Sequence, residues 1–276
     1  MKKRNESKLT MAALMMMAAM AMTSCASSKK INGDSNAGKS SEMGKNEEDL
    51  DNSYLVLSDA QQDIVKKNNA FALRLFNKVT DMESKVISPM SVSYLMGMLA
   101  NGADGSTQQE ILKAIGCEGV SVIDLNELYK AMLLTANKQD KQTTVNIANY
   151  IAVNKNFQLN KDFCQKVSDS YLAGIESLDF TSSKTTDRIN GWCKEKTNGM
   201  IPRIIDQVSA DAVSYLMNAI YFKGTWQNKF NAKDTKLENF RGYTRDIQKV
   251  EMMHQVKKLF YAENKDFKAV DLPYGN

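Results

Sequence analysis

Between residues 58 and 79 the apolar positions return at helical spacing, which predicts an amphipathic helix. Ser58 and Gln61 stand at the spacing of a capping box, so we expect the helix to begin directly after Ser58. Asn68 is the one polar residue on the apolar face. The other members of that face are Ile64, Phe71, Ala72, Leu75, Phe76 and Val79.

The next run, residues 90–99, is apolar on nearly all sides and predicts a helix that is buried rather than amphipathic. Residues 85–89 have the pattern of a short strand that leads into this helix. Ser88 can cap the helix, and Pro89 suits its first turn. Gly97 lies inside the run, which suggests that another part of the backbone approaches closely there.

Residues 144–154 and 211–223 change to the period of two that is typical of a β-strand. In both segments each of the two alternating sets contains apolar residues, so we expect two central strands in a sheet that is covered on both faces. Asn218 is the polar exception on one face of the second strand. An unpaired buried amide costs roughly 1–3 kcal/mol, so Asn218 should have hydrogen-bond partners.

Shorter patterns fill the rest of the chain. Ser106 and Thr107 are both candidate helix caps, because each has Gln or Glu three residues later, and Asn160 is a third candidate cap. Helices come first and strands mixed with helices come later, which indicates an α+β fold. The further helices are expected over residues 106–115, 123–137, 161–171 and 186–196, and the short strands over residues 174–180, 240–243, 250–255, 258–261 and 267–272.

The first residues are a targeting segment. Lys2, Lys3 and Arg4 precede an apolar run that is shorter than the about 20 residues of a membrane span, which is the pattern of a secretory signal peptide. The run ends in small residues followed by Cys25, and this ending resembles the lipobox of bacterial lipoproteins. By that resemblance residues 1–24 are removed and Cys25 is acylated. The alternative is a cysteine that follows a plain signal by chance.

Residues 25–57 are rich in Ser, Asn, Gly, Lys, Asp and Glu, and they contain too few apolar side chains to fold. We therefore expect a flexible tether between a membrane and a folded domain over residues 58–276. A lipid anchor at Cys25 predicts a membrane partner and a place in the bacterial cell envelope, at the outer membrane or the cell surface.

Composition and charge exclude only a few classes of protein. The 276 residues hold 36 Lys and Arg against 32 Asp and Glu, a net charge of +4, and the signal segment carries most of that excess. The remainder shows no concentrated basic face, so we expect no nucleic-acid partner. A hydrophobic share of 43% and a charged share of 25% exclude a wholly disordered chain.

Motifs for bond chemistry are few, and we expect no cofactor or metal. No glycine motif for phosphates or dinucleotides occurs in the sequence. Apart from Cys25, the cysteines are Cys117, Cys164 and Cys193, and we expect mainly buried structural thiols. A zinc site that combines them with His254 has no support in the spacing. A hydrolase that uses Cys164 or Cys193 with His254 as base stays open as an alternative.

Segments in series along the chain share one further signature. The segments are residues 87–107, which include Ser88-Pro89-Met90-Ser91; residues 189–201, which include Lys196-Thr197-Asn198-Gly199; residues 216–226, from Leu216-Met217-Asn218 to Thr225-Trp226; and residues 250–255 together with 271–274. In this order, and covering roughly residues 58–276, they resemble the sequence signature of the serpin family.

The resemblance implies the serpin fold, an α+β fold with a helical N-terminal part, a main mixed sheet and the start of a β-barrel. It places Ser88, Ser91 and Asn218 under the centre of the main sheet, in the shutter region where the sheet parts to admit a strand. The two serines would then supply the partners that Asn218 needs. Trp226 corresponds to the top of the sheet, where insertion begins, and Gly199 to the glycine that closes the helix crossing the sheet.

The resemblance also implies an inhibitor and not an enzyme. Serpins are suicide inhibitors of serine proteases and sometimes of cysteine proteases: the protease cleaves an exposed loop, and the loop then inserts into the main sheet while the acyl-enzyme is trapped. By the family pattern this sequence ends before the last main-sheet strands, the reactive loop and the final barrel strands. We therefore expect the first part of a longer product. The alternatives are a non-inhibitory serpin-fold binding protein and a truncated, non-functional serpin.

Overall fold

The structure, a computed structural model, describes residues 55–81, 85–136, 141–243 and 245–275. The predicted signal peptide, Cys25 and most of the tether lie outside the described residues.

The helices that precede the first strand begin at side-chain caps, and two of these caps agree with the prediction. Ser58 and Gln61 form the capping box, with Ser58 N donating to Gln61 Oε1 at 3.0 Å. Ser88 caps the next helix through a hydrogen bond from Ser91 N, and Pro89 is its first residue. These helices are α1 (Asp59–Val79), α2 (Pro89–Asn101), α3 (Gly105–Ala114) and α4 (Val122–Ala136).

Two predictions in this region are wrong. Helix α3 is capped by Asp104, whose side chain accepts a hydrogen bond from Gly105 N at 2.8 Å, and not by Ser106 or Thr107. A carboxylate is favoured there because it faces the positive end of the helix dipole. Residues 85–88 form no strand, because no strand in the described part of the chain pairs with them.

The central sheet has the strand order β2–β1–β3, with β1 and β2 parallel and β1 and β3 antiparallel. The prediction of a central strand is confirmed for β1. Strand β3 pairs with β1 on one side and with no other strand among the described residues. The elements of this region are β1 (Thr143–Asn154), α5 (Lys161–Tyr171), β2 (Gly174–Leu178), α6 (Ser183–Lys196) and β3 (Ser214–Gly224).

The last described residues form two antiparallel hairpins, whose strands begin and end a few residues away from the predicted positions. Most of their side chains are exposed, including Leu237, Phe260 and Val256. A short 3-10 helix precedes them. The elements are the 3-10 helix Ala232–Asp234, β4 (Lys236–Arg241), β5 (Ile247–Met252), β6 (Tyr261–Glu263) and β7 (Lys268–Val270).

The two faces of the sheet are covered by different elements. One face, here named the back face, packs against α1, α2, α4 and α5 through residues such as Ile151 and Val153 of β1. The other face, named the front face, packs against α6 through residues such as Tyr150 of β1 and Met217 of β3. The alternation predicted for β1 and β3 therefore separates two hydrophobic cores.

The contacts of Asn68 and Gly97 explain why a polar and a small residue lie in these apolar helices. Asn68 is tolerated among apolar side chains because its Oδ1 accepts a hydrogen bond from Tyr129 Oη at 3.2 Å. At Gly97 the close approach is made by a side chain and not by backbone. A Cβ there would lie 3.0 Å from Cε1 of Tyr171 and would overlap its hydroxyl oxygen.

Candidate functional site

The serines at the start of α2 form a local pair. Ser91 Oγ donates to Ser88 Oγ at 2.9 Å, and Ser91 N donates to the same oxygen at 3.3 Å. Both side chains are half-buried. Helix α2 packs against β3 on the back face, so the serines and Asn218 belong to the same side of the sheet.

The hydrogen-bond partner of Asn218 is an asparagine of the neighbouring strand. Asn218 lies directly opposite Asn149 in the register of β3 and β1, and Asn218 Nδ2 donates to Asn149 Oδ1 at 2.8 Å. Asn149 Nδ2 in turn donates to the carbonyl oxygen of Tyr171 at 2.7 Å. The expectation that Ser88 and Ser91 supply these partners is therefore wrong for the amide donor of Asn218.

One buried atom of this amide pair has no partner among the described residues, the side-chain oxygen Oδ1 of Asn218. In Asn149 both the side-chain oxygen and the side-chain nitrogen form a hydrogen bond. Sequence reasoning missed Asn149, although its place among the apolar residues of one face of β1 was the available signal. The two amides face each other near the middle of the β1–β3 pair.

Trp226 lies just beyond the end of β3 and packs against the last described residues. Its indole stacks on Tyr274 with centroids 4.2 Å apart, and Tyr274 meets Phe222 edge-on at 4.9 Å. Backbone bonds join the two segments, among them the bond from Gln227 N to the carbonyl oxygen of Pro273 at 2.9 Å. This end of β3 is therefore closed by an aromatic cluster.

Gly224 is the last residue of β3, and a side chain there would collide with that cluster. An added Cβ would lie 2.8 Å from Phe222 and equally close to Tyr274. Tyr274 belongs to a segment of the family resemblance, but nothing in its local pattern indicates that it meets Trp226.

On the front face a carboxylate joins three elements. Glu176 of β2 accepts a hydrogen bond from Tyr150 Oη of β1 at 2.6 Å, and Arg188 of α6 approaches it at 2.7 Å. The hydrogen bond from Tyr150 and the neighbouring guanidinium hold the pKa of the Glu176 carboxyl below its ordinary value, although partial burial acts in the opposite direction. Burial raises the pKa of Tyr150. The Tyr150 ring also stacks on Trp192 of α6, with centroids 5.1 Å apart.

The C-terminal end of α6 is closed as predicted. Gly199 adopts a positive φ of 81°, and its N–H donates to the carbonyl oxygen of Lys194 at 2.7 Å. Asn146 of β1 donates to the carbonyl oxygen of Lys196 at 2.9 Å. Glycine suits this position because the left-handed backbone conformation carries no Cβ penalty there.

The cysteines and the histidine do not form a nucleophilic pair in the described structure. Cys117, Cys164 and Cys193 are all free thiols. Burial raises the pKa of Cys117 to about 11 and also raises that of Cys193, which is opposite to the activation that a nucleophile needs. His254 is exposed and contacts Glu238 at 3.0 Å.

The described ranges contain no group of three or more His, Cys, Asp or Glu side chains placed to hold a metal ion. Within the same ranges, no helix combines the length and the apolar character that crossing a bilayer requires.

The fold and the site together define an α+β protein whose central sheet is covered on both faces. Two facing amides join its two long strands, and in the described structure the outer edge of β3 has no strand beside it. The family model described as serpin (serine protease inhibitor) matches residues 66–276. The chain belongs to the serpin family.

Relatives and solved structures agree with this assignment. The leukocyte elastase inhibitor of Bos taurus is 33% identical, with 75% of this chain and 56% of the relative covered. Serine protease inhibitor 42Dd of Drosophila melanogaster is 30% identical, with 74% and 56% covered. The crystal structure of tengpin, a thermophilic serpin in the latent state, has a TM-score of 0.71 and 32% identity, with 80% of this chain and 59% of that chain covered.

The chain spans little more than half the length of these relatives. The predicted serpin fold, with its helices and mixed sheet, is confirmed over the part that the chain covers. Serpins as a family are protease inhibitors rather than proteases, and the names of both relatives agree with a protease as the partner of this family.

Proposed function

We propose that this chain is the N-terminal part of a lipid-anchored serpin that inhibits serine proteases, and in some cases cysteine proteases, by suicide trapping. The observation that carries the proposal is the match of residues 66–276 to the serpin family. Among the described residues, β3 pairs with β1 only. A strand edge with free N–H and C=O groups is the surface to which an extended segment adds.

In this mechanism the protease supplies the bond chemistry and the serpin supplies the sheet. The protease nucleophile attacks a peptide bond of the reactive loop and forms an acyl-enzyme. The cleaved loop then inserts beside β3, and the attached enzyme is displaced before water can release it. The chain spans little more than half the length of the curated relatives it matches, and we expect the reactive loop in the remaining part.

The proposed shutter region consists of Ser88, Ser91 and Asn218, and its location supports that role. The serines start the helix that packs behind β3, and Asn218 lies mid-strand with an unpaired buried oxygen. Trp226 is proposed to mark the end of β3 at which insertion begins. Its stack on Tyr274 closes that end, and insertion would have to pass or disturb this contact.

The proposed anchor is the acylated Cys25 that follows the signal peptide 1–24. With residues 25–57 as a flexible linker, the domain would lie roughly 30 Å from the membrane on average, by random-coil scaling for a chain of this length. The serpin would then guard the envelope of a bacterium against proteases that reach it.

The inhibitor proposal is tested with the full-length product of the gene, read beyond codon 276. We expect a stretch of small residues that can act as a hinge, a loop, and closing strands. We also expect a complex with a serine or cysteine protease that survives heat and detergent. A protease whose nucleophile has been removed should give no such complex. A full-length product that every protease merely cleaves, or leaves untouched, would overturn the proposal.

The anchor is tested separately by labelling bacteria that express the chain with a radioactive fatty acid. Label should appear on the wild-type chain and disappear from Cys25→Ser, while Cys164→Ser keeps it. Equal labelling of the wild-type chain and Cys25→Ser would overturn the anchor and leave the inhibitor proposal intact.

A further inference from the structure

A groove of about 600 Å³ lies between one side of α5 and the ends of β1 and β2. Ile175 and Ser177 of β2 line it, and in the strand register they pair with Ile151 and Val153 of β1. Ile151 and Val153 belong to the back core, so the groove lies on the back face of the sheet. Its volume is within the range of about 300–1,000 Å³ that is usual for small-molecule sites.

The wall that α5 contributes is one side of the helix. Lys161, Cys164, Gln165 and Ser168 line the groove, and their spacing places them on the same side of the helix. Val167, which is fully buried in the back core, is not among the lining residues. A different row of side chains therefore holds α5 on the sheet, and the row that faces the groove is left half-buried or exposed.

The floor of the groove is apolar. Val153 of β1 is buried, and Leu159 and Ile175 are half-buried beside it. Phe157 lies at the rim with 47% of its surface exposed. An alkyl chain that covers this floor would remove apolar surface of both the ligand and the protein from water, which favours binding.

The groove carries one sign of charge. Lys161 is the single charged residue among the described residues that line it. Within the described part of the chain, Lys161 forms no ion pair. A cation beside an apolar floor is complementary to a ligand that has one negative end and one apolar tail.

A second groove of similar volume lacks this complementarity. It is lined by two carboxylates, Asp104 and Glu127, and by two amines, Lys130 and Lys166, so its charges balance. The amides of Asn101 and Asn126 in its wall bond to each other, at 2.8 and 2.9 Å. This groove selects neither sign of charge, and the groove at α5 is the better candidate for a ligand.

We propose that the groove between α5 and β2 binds a free fatty acid of medium length, with its carboxylate at Lys161 and its alkyl chain over Leu159, Val153 and Ile175. At about 30 Å³ for each water-sized group, decanoate needs roughly 360 Å³, whereas a two-chain phospholipid needs well over roughly 1,000 Å³. The groove therefore fits one chain and not two. The site is separate from β3, so the inference does not depend on protease trapping.

The proposal is tested by the rate at which Cys164 reacts with a maleimide in the full chain, measured by mass spectrometry on the peptide that carries it. The half-buried thiol lines the groove and serves only as a reporter. We expect saturating decanoate, kept below its micelle concentration, to slow the reaction at least tenfold. Cys117 and Cys193 are buried in the two cores, and faster labelling of these thiols would show that decanoate unfolds the chain, which would count against a bound state.

A series of ligands separates the contribution of the chain from that of the charge. Each buried methylene improves affinity by up to about fourfold, so octanoate should need at least a fourfold higher concentration than decanoate for half protection. Acetate has no chain and decylammonium has the opposite charge. At the same concentrations each of them should slow the reaction less than twofold.

A pair of lysine variants tests the position of the carboxylate. Lys161→Met keeps the unbranched side chain and removes the charge, and it should raise the half-protective concentration of decanoate at least fivefold. The matched control is Lys166→Met, an exposed lysine of the same helix that does not line this groove, and it should leave that concentration unchanged. Titration calorimetry with decanoate measures the same ratios without the thiol.

Equal protection by decanoate and decylammonium, or a Lys161→Met variant that binds decanoate as the unmodified chain does, would refute the site. Protection by phosphatidylcholine vesicles but not by decanoate would assign the groove to a membrane surface. A reaction that slows with protein concentration alone would assign the groove to a second copy of the chain. Either of these two results would also remove the fatty acid as the occupant.

Discussion

The two faces of the sheet are covered by different numbers of elements, although the same strands build both. The back face is buried by several helices in one continuous core, in which Tyr94 and Tyr171 are fully buried. The front face is buried by one helix and the segment that follows it. The back face is therefore covered by more elements than the front face.

The chemistry of the two coverings differs as well. On the back face, buried hydroxyl and amide groups bond to each other, as Tyr171 Oη does to Asn126 Oδ1 at 2.8 Å. On the front face a partly exposed ion pair joins Arg188 and Glu176. Deleting a buried partner costs more than deleting a solvated one. The variants below test this contrast in matched pairs.

The largest difference is expected between two asparagines of β1. Asn149→Ala leaves the Asn218 amide and the Tyr171 carbonyl unpaired in the back core, which should lower the free energy of unfolding by about 3 kcal/mol. Asn146→Ala removes one half-buried hydrogen bond at the front and should cost roughly 0.5–1 kcal/mol. Urea unfolding of both variants measures the difference, and equal losses would contradict the contrast between the faces.

Two glycines in helices give the next effect. At Gly97 a Cβ would overlap the Tyr171 hydroxyl, so Gly97→Ala should destabilise by about 2 kcal/mol after its gain in helix propensity. At Gly191 of α6 no neighbouring atom lies within 4 Å of such a Cβ. Gly191→Ala should therefore stabilise the chain by roughly 0.5–1 kcal/mol. Thermal midpoints measure both effects: a fall for Gly191→Ala would show that the front helix is packed tightly there, and a rise for Gly97→Ala would show that the back helix has room for a methyl group.

A smaller contrast lies within the back core. Tyr171→Phe deletes a hydroxyl that bonds to Asn126 and should cost about 1 kcal/mol. Tyr94→Phe deletes a buried hydroxyl that has no partner among the described residues, so it should be neutral or slightly stabilising. Calorimetry of the two variants can check this, and a clear loss for Tyr94→Phe would mean that its hydroxyl is satisfied.

The smallest effect concerns pH at the front face. The pKa of Glu176 is lower in the folded chain, so its contribution to stability is present above the unfolded value of about 4.3 and is lost as the pH falls through the folded value. The stability difference between the wild-type chain and Glu176→Gln should therefore be below about 1 kcal/mol at pH 7 and shrink towards pH 3. Urea midpoints across this range measure it. A difference that grows at low pH would refute the assignment.

Much of the local structure could be predicted from the sequence, because its causes are local. The capping box at Ser58, the cap at Ser88 and the closing glycine at Gly199 depend on neighbours within one helical turn. The alternation in β1 and β3 predicts which residues share a face, and the two cores confirm it. The predicted start of α3 is wrong because several neighbouring residues can each serve as a cap, and the structure uses Asp104.

The candidate site was predictable in part, through the family resemblance. It identified Asn218 and Trp226 as residues of interest, but the structure adds their neighbours. Asn149 and Tyr274 contact them only because of strand register and chain return, which short-range spacing does not encode. The roles of Ser88, Ser91 and Cys25 remain predictions.

The sequence by itself determined the helix caps at Ser58 and Ser88, the two-sided strands and the family, since each is written in residues that are close along the chain. Only the tertiary structure decided that Gly97 faces Tyr171, that Asn218 pairs with Asn149 and that Arg188 binds Glu176. The physical reason is that these contacts join different elements. They form only once the packing of helices on the sheet has set the distance and register between them.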